Sequence, residues 1–136
     1  MADDCIFCKI VAGEMPAHVI DEDEHTLAFM DINPWTRGHA LVIPRTHSTD
    51  LLEIEDGDLA HVAAGARRLA GRMKERLGCD GVNLLNACGS AAWQSVFHFH
   101  VHVIPRWHGD PLALPTRPQP ADQDELAKVA EELRAG

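Results

Sequence analysis

Three stretches in the first part of the chain have the apolar and polar pattern of β-strands. Residues 18–21 and 25–32 are rich in apolar and β-branched residues, and the acidic run 21–24 separates them as a hairpin turn would. Residues 39–43 are mostly apolar and are followed by Pro44, which cannot donate to a strand ladder. We therefore expect a hairpin and then a third strand.

Small and apolar residues next recur at intervals of three and four, which predicts an amphipathic helix. We expect it to begin at Asp58 and to end before Gly78, since Asp and Gly are favoured at the two helix ends. Its apolar positions are Leu59, Val62, Ala63, Ala66, Leu69, Ala70, Met73 and Leu77. Gly65 and Gly71 each cost up to about 1 kcal/mol relative to Ala in a helix, so we expect tertiary packing at both.

The last third of the chain predicts two more strands and a short helix. The strands cover residues 81–87 and 95–104, and the helix begins near Asp122 with Glu125 placed as in a capping box. One face of this helix carries Leu126, Val129, Ala130 and Leu133.

Prolines crowd residues 111–121, which predicts an extended connector. The connector separates a domain of residues 1–110 from a helical tail of residues 122–136. Strands before, around and after one long helix, joined by short turns, predict an α+β fold with an antiparallel sheet.

Composition narrows the class of protein. The chain has 136 residues with a formal net charge of -9, and this acidity argues against a nucleic-acid partner, which needs clustered Lys and Arg. No apolar run approaches the ~20 residues of a membrane span, so we expect no membrane partner. The first residues have neither the basic nor the apolar region of a signal peptide, so we expect a cytoplasmic protein. Its four cysteines are then expected to be thiols or metal ligands.

Three of the nine histidines alternate with apolar residues at His98, His100 and His102. A strand would place their imidazoles on one face, about 6.7 Å apart in succession. The other face would present Phe97, Phe99, Val101 and Val103 to the core.

The alternation has three interpretations. The histidines could simply cover the polar face of a half-buried strand, although such faces usually carry Thr, Lys or Glu. A His-x-His pair could bind a catalytic zinc ion whose water attacks the substrate. One imidazole could instead be a nucleophile, which requires a neutral ring with a fixed tautomer. Crowding favours the nucleophile, because nearby like charges oppose protonation of every ring.

This sequence resembles the histidine triad (HIT) family, in its Hint-like branch, whose signature is His-φ-His-φ-His-φ-φ with φ apolar. The signature is residues 98–104, and the resemblance continues through residues 5–10, 28–32, 38–44, 86 and 94–96. It implies an α+β fold with a five-stranded antiparallel sheet, one long helix and a C-terminal helix. It also implies a homodimer across which the sheet continues.

The resemblance further implies a purine-nucleotide phosphoramidase or related nucleotidyl hydrolase or transferase, which cleaves at the α-phosphorus of substrates such as AMP derivatives. The nucleophile would be His100, through a covalent nucleotidyl-histidine, and a backbone carbonyl would fix its tautomer. A dinucleoside polyphosphate hydrolase is the alternative within the class. A nucleotide-binding interaction protein with incidental turnover is the alternative outside it.

Site residues follow from the same resemblance. His102, Asn86 and Ser95 would hold the phosphate, with Gln94 near the scissile bridge. Asp31 would bind the ribose hydroxyls, and His39 could face the pocket. The base would be surrounded by Ile6, Phe7, Ile10, Phe29 and Ile32, which could equally be core residues.

Cys5-x-x-Cys8 alone is compatible with redox, metal-binding or accidental cysteines. Resemblance to the zinc-containing members of the family adds His47 and His98 as ligands. Four ligands of these types form a closed structural site, so the zinc ion would link the N-terminal segment to the triad without taking part in the chemistry.

Residues 87–93 replace a Gly-rich loop that many relatives have, and Trp93 directly precedes Gln94. Trp93 could narrow the leaving-group side of the site or reach across a dimer, so this departure concerns the substrate more than the reaction. His18, His25, His61 and His108 match no functional position.

Overall fold

One five-stranded sheet organises residues 4–135, which are the residues described by this computed structural model. The strands are β1 (Val19–Glu22), β2 (Thr26–Met30), β3 (Ala40–Pro44), β4 (Gly81–Leu85) and β5 (Val101–Arg106). The helices are α1 (Ile6–Val11), α2 (Asp56–Arg72) and α3 (Gln123–Arg134). A wider π turn, Met73–Leu77, continues α2, and a single 3-10 turn spans Ser90–Ala92. The strand order is β1-β2-β3-β5-β4 and every pair is antiparallel, which confirms the predicted α+β fold.

The central strand β3 is buried along its whole length, because both faces of the sheet are covered there. Ala40 and Val42 face α2, whereas Leu41 and Ile43 pack with α1 on the other side. Continuous burial explains why this strand has an apolar run and no alternation.

Helix α2 packs its apolar stripe on the sheet through Val62, Ala66 and Leu69. A Cβ atom built at Gly65 would lie 3.2 Å from the Val42 Cγ1 atom, so the predicted close packing is confirmed there. The same prediction is wrong for Gly71, where an added Cβ atom would meet no other part of residues 4–135 within 4 Å beyond the adjoining helix backbone. Gly71 sits on the solvent side of the helix.

Helix α1 was not predicted. It has six residues and begins after Cys5, whose Sγ accepts a hydrogen bond from the Cys8 backbone N–H at 3.4 Å. A helix of fewer than two turns is too short to show a 3.6-residue period, so the sequence pattern cannot reveal it.

The predicted strand over residues 95–104 is wrong at its start, because β5 begins only at Val101. Val101 pairs with Val42, and β3 ends two residues later at Pro44, which has no N–H to extend the ladder. The Phe99 N–H instead donates to the Ser48 carbonyl at 2.7 Å. Phe97 was expected in the core but is 48% exposed.

The remaining differences are shifts of one or two residues at element ends. Strands β1 and β3 each begin and end one residue later than expected, and β2 begins one residue later and ends two residues earlier. Strand β4 ends at Leu85, two residues earlier than expected, β5 ends two residues later, at Arg106, and α2 begins two residues earlier, at Asp56.

Beyond β5, residues 111–122 form no helix or strand, and α3 follows with no buried residue. Its predicted apolar face is therefore exposed, with Leu126 48% and Leu133 82% accessible. Asp122 occupies the N-cap position but its side chain makes no capping hydrogen bond. Within residues 4–135, no helix has the length and apolar character needed to cross a bilayer.

Candidate active site and metal site

The middle histidine of the triad is held in one tautomer. His100 Nδ1 lies 2.7 Å from the His98 carbonyl oxygen, and a carbonyl can only accept, so Nδ1 carries the proton and donates. Nε2 is then the unprotonated nitrogen. Within residues 4–135, this nitrogen has no hydrogen-bond partner. It is also in contact with solvent. The Phe7 ring meets the imidazole edge to face, with 5.2 Å between centroids.

Burial keeps this ring neutral. His100 is only 5% exposed, and burial lowers its pKa because a charged imidazolium would lose hydration. The His98 carbonyl and the Asp31 carboxylate oppose this shift but do not reverse it. A neutral ring with a free Nε2 is the form in which imidazole acts as a nucleophile.

The third histidine belongs to a hydrogen-bonded chain that starts at a backbone N–H. The Trp35 N–H donates to His39 Nδ1 at 3.0 Å, so His39 carries its proton on Nε2. His39 Nε2 then donates to His102 Nδ1 at 2.9 Å. His102 is thereby left with a proton on Nε2, which makes that nitrogen a donor. Burial is the main cause that lowers the pKa of His102 to about 4, with His100 and His39 adding to the effect.

Asp31 lies beside this chain, with Oδ2 3.5 Å from His39 Nε2 and 3.9 Å from His102 Nδ1. An Asp and two His at these distances could in principle hold a metal ion. The donor set does not fit one, because the Trp35 N–H fixes the proton of His39 on the nitrogen that would have to coordinate. This group is better described as a hydrogen-bonded chain than as a metal site.

A second cluster brings together the two cysteines and two histidines predicted as zinc ligands. Cys5, Cys8, His47 and His98 place one ligand atom each within 4.8 Å of the others. Cys8 Sγ lies 3.3 Å from His47 Nδ1, and both sulfurs lie 3.5 Å from His98 Nδ1.

The protonation of His98 fits a metal ligand. Its Nε2 faces the Pro44 carbonyl at 2.9 Å and must donate, so Nδ1 presents a lone pair to the two sulfurs. Burial lowers the pKa of His98 to about 4, which keeps the ring neutral. Two cysteine sulfurs and two histidine nitrogens are a typical ligand set for structural zinc, which binds cysteine as the thiolate. The residues therefore fit a zinc ion.

The predicted phosphate ligands have different surroundings. Asn86 lies beside the triad and donates from Nδ2 to the His100 carbonyl at 2.9 Å, while its buried Oδ1 has no hydrogen-bond partner among residues 4–135. Ser95 is exposed and makes no hydrogen bond within residues 4–135. Gln94 is 5% exposed and bonds only backbone: Oε1 accepts from Gly89, and Nε2 donates to the Thr49 and Val96 carbonyls. Gln94 thus holds the loop before the triad.

The apolar residues expected around a base fall into two groups. Phe7 and Phe29 are buried and pack edge to face with 5.5 Å between centroids, and Ile10 packs against the same cluster. Ile6 and Ile32 are 42% and 84% exposed. The exposed pair is accessible from solvent, whereas Phe7 contacts the His98 and His100 rings inside the protein.

Trp35 was not singled out from the sequence. Its indole ring is parallel to the His102 ring, with an interplanar angle of 7° and 5.7 Å between centroids. Its backbone fixes the tautomer of His39, as described above. Only its place four residues before His39 could have drawn attention to it.

Comparison with known proteins agrees with this geometry. The HIT domain family matches residues 12–109. An uncharacterized HIT-like protein of Methanocaldococcus jannaschii is 48% identical over 106 residues, which cover 78% of this chain and 81% of the relative. The adenylylsulfatase HINT3 of Arabidopsis thaliana is 38% identical over 112 residues, covering 82% of this chain and 57% of the relative. The chain belongs to the histidine triad family.

Solved structures show the same fold. SMU.412c from Streptococcus mutans superposes with a TM-score of 0.92 at 37% identity, covering 98% of this chain and 85% of that one. A zinc-bound histidine triad protein from Mycobacterium smegmatis gives a TM-score of 0.79 at 42% identity, covering 95% and 97%. The predicted family is confirmed by the family match and by these relatives.

Proposed function

We propose that this protein is a nucleotidyl hydrolase that cleaves purine-nucleotide phosphoramidates at the α-phosphorus through a covalent nucleotidyl-histidine on His100. The observation that carries the proposal is the bond from His100 Nδ1 to the His98 carbonyl, since it leaves Nε2 neutral and available. Burial of the ring supports the same role, because it disfavours the protonated form that cannot attack.

The reaction has two displacements at phosphorus. His100 Nε2 forms a bond to the α-phosphorus while the bond from phosphorus to the amine breaks, and the amine leaves with one added proton. Water then forms a bond to the same phosphorus and loses a proton, which balances the one taken up by the amine, while the bond to Nε2 breaks and the nucleoside monophosphate is released. The net reaction consumes one water molecule for each phosphoramidate.

Oriented neutral donors stabilise the phosphoryl group in this proposal. His102 offers Nε2–H, and Asn86 and Ser95 lie on the neighbouring segments, so no Lys or Arg cluster is required. Gln94 positions the loop that carries Ser95, and its side chain would approach the scissile bridge only if it gave up backbone bonds.

Asp31 is assigned to the ribose hydroxyls, since a carboxylate can accept two hydrogen bonds. The base is assigned to the side of Ile6 and Ile32, with Phe7, Phe29 and Ile10 beneath. His39 acts by fixing the proton of His102 and does not need to touch substrate.

A panel of substrates tests the identity of the leaving group. Adenosine 5′-phosphoramidate is the expected substrate. Adenylyl sulfate enters the panel because one relative is named an adenylylsulfatase, and diadenosine polyphosphate enters as the main alternative. The substrate with the highest kcat/KM identifies the class of leaving group.

The decisive test compares His100→Ala with His108→Ala, an exposed histidine that takes no part in the site. We expect intact-mass measurement to detect a nucleotidyl adduct in wild type and in His108→Ala. In His100→Ala the adduct and turnover should be absent while AMP still binds. Turnover that survives in His100→Ala but is lost with a chelator would instead support a metal-dependent hydrolase. AMP binding without turnover in wild type would support a binding protein.

We also propose that Cys5, Cys8, His47 and His98 hold a structural zinc ion. The proximity of the four ligand atoms and the fixed tautomer of His98 support it. Metal analysis of protein purified without chelators tests this proposal, and the absence of zinc would refute it. The Cys5→Ser variant should lose zinc, and Cys88→Ser serves as its matched control.

A homodimer is the third part of the proposal. Strand β4 is at the edge of the sheet, and its Leu84 is 56% exposed, so a second copy could continue the sheet from this edge. Sedimentation equilibrium should give a dimer mass. A monomer at micromolar concentration would contradict it.

A further inference from the structure

A cavity of about 580 Å³ lies between the end of α2 and the adjoining ends of β1 and β2, and it includes none of the triad residues. Its apolar wall is formed by Ile20, Met30, Leu69, Met73 and Leu77. This volume is within the range of about 300–1,000 Å³ that is usual for small-molecule sites. The cavity therefore has the size and the lining of a ligand site.

Three arginines surround this cavity in a protein whose net charge is -9. They are Arg37, Arg72 and Arg76. Arg72 is held by the Ile20 carbonyl at 3.3 Å and by Asp21 at 3.5 Å. In residues 4–135, Arg37 and Arg76 have no carboxylate within 4.0 Å.

Cations at the end of a helix are often explained by the helix dipole, and this accounts for Arg72 and Arg76. It does not account for Arg37, which lies in the loop between β2 and β3. A loop arginine and two helix arginines therefore line the same apolar cavity from exposed positions, and guanidinium groups are the side chains best suited to bind a carboxylate.

The residues that line the cavity also indicate what kind of group would accompany an anionic head group. Two of the four methionines, Met30 and Met73, are in the wall, and flexible thioether side chains adapt to alkyl groups. Among the described residues no aromatic ring lines the cavity, so a nucleotide base would have nothing to stack on. The π turn Met73–Leu77 brings Met73, Arg76 and Leu77 to the cavity, and such turns are frequent at functional sites.

We propose that this cavity binds a medium-chain alkyl carboxylate, with the chain against the methionine wall and the carboxylate at Arg37 and Arg76. This cavity is separate from the proposed nucleotide site, but the two are connected by adjacent residues of the polypeptide. Met30 and Gly38 line the cavity. The residues that follow them are Asp31 and His39, of which His39 donates to His102 of the triad and Asp31 lies beside both histidines.

Methyl-labelled methionine provides a local readout. Decanoate, titrated below its micelle concentration into the full chain carrying 13C-methyl methionine, should shift the Met30 and Met73 signals saturably. The Met15 signal should not move, since Met15 does not line the cavity. Butyrate at equal concentration should give no saturable shift, because it lacks the chain. Decanol should bind at least several-fold more weakly, because it lacks the charge.

Charge reversal tests the arginines. Arg37→Glu with Arg76→Glu should weaken decanoate binding by about tenfold or more. The matched control, Arg67→Glu with Arg117→Glu, changes net charge equally at exposed positions outside the cavity and should bind as wild type does. Ile20→Trp, which fills the cavity without changing charge, should also weaken binding, and thermal unfolding verifies that each variant folds.

Three results would overturn the proposal. The first is the absence of saturable shifts at Met30 and Met73, and the second is equal decanoate binding by both charge-reversed proteins. The third is co-sedimentation with phosphatidylglycerol vesicles without any response to decanoate, which would indicate a membrane surface as the ligand. Loss of nucleotide turnover in His100→Ala has no bearing on this test, so the two proposals fail independently.

Discussion

The pH dependence of turnover is a direct consequence of how deeply the triad is buried. A solvent-exposed imidazole has a pKa near 6.5, so at pH 5.5 only about 9% of it would be neutral and able to attack. Burial lowers the pKa of His100 and brings that of His102 to about 4. The acidic limb of the kcat/KM profile should therefore have its midpoint below pH 6.5.

The neutral fraction of His102, the proposed hydrogen-bond donor to the phosphate, stays high in mild acid. With a pKa of about 4, about 97% of His102 is still neutral at pH 5.5, so its Nε2–H donor arrangement persists there. We expect kcat/KM for adenosine phosphoramidate at pH 5.5 to stay well above about 9% of its plateau, after subtraction of the uncatalysed rate. The measurement is a profile of initial rates from pH 4.5 to 8.

Substitution of Asp31 should change the pKa of His100 and of His102 in a known direction. The charge of Asp31 raises the pKa of both His100 and His102, although burial outweighs it. Asp31→Asn should therefore move the acidic limb to lower pH, whatever it does to KM, while Asp124→Asn on the exposed helix α3 should leave the limb in place. A wild-type midpoint at or above pH 6.5, or an upward shift in Asp31→Asn, would refute this reasoning.

Three further outcomes can be measured. Gly65→Ala should destabilise the fold by about 1 kcal/mol in urea unfolding, since crowding the fully buried Val42 outweighs the gain in helix propensity. Gly71→Ala, where the added methyl meets nothing within 4 Å, should stabilise it by up to about 1 kcal/mol, and a loss of stability would contradict the packing described. Cys5→Ser should lower the melting temperature and make it insensitive to chelators, whereas an unchanged, chelator-sensitive melting curve would count against a ligand role. Leu84→Glu should shift sedimentation towards monomer, and a dimer of unchanged strength would place the interface elsewhere.

Sequence patterns predicted the structure well where an element is long, and they identified candidate site residues where these are close together in the sequence. The stripe of α2 was predicted within two residues at its start, because repeated burial against a sheet imposes a 3.6-residue period over many turns. Alternation at His98, His100 and His102 drew attention to the triad through its residue types, although His98 and His100 precede β5 and Phe99 between them is buried like both. The pattern failed at Phe97, because period alone does not show where the partner strand stops.

Relations between distant segments were decided only by the tertiary structure. The cluster of Cys5, Cys8, His47 and His98 joins residues 93 positions apart, and no local pattern specifies that proximity. The proton positions at the site depend likewise on which carbonyl or N–H faces each ring, as the Trp35 N–H does for His39. By itself the sequence determined the strands, the long helix and the residue types available for chemistry, since these depend on local periodicity. The neutral state of the triad and the arginines around the apolar cavity depend on burial and long-range contacts, which arise only when the chain folds.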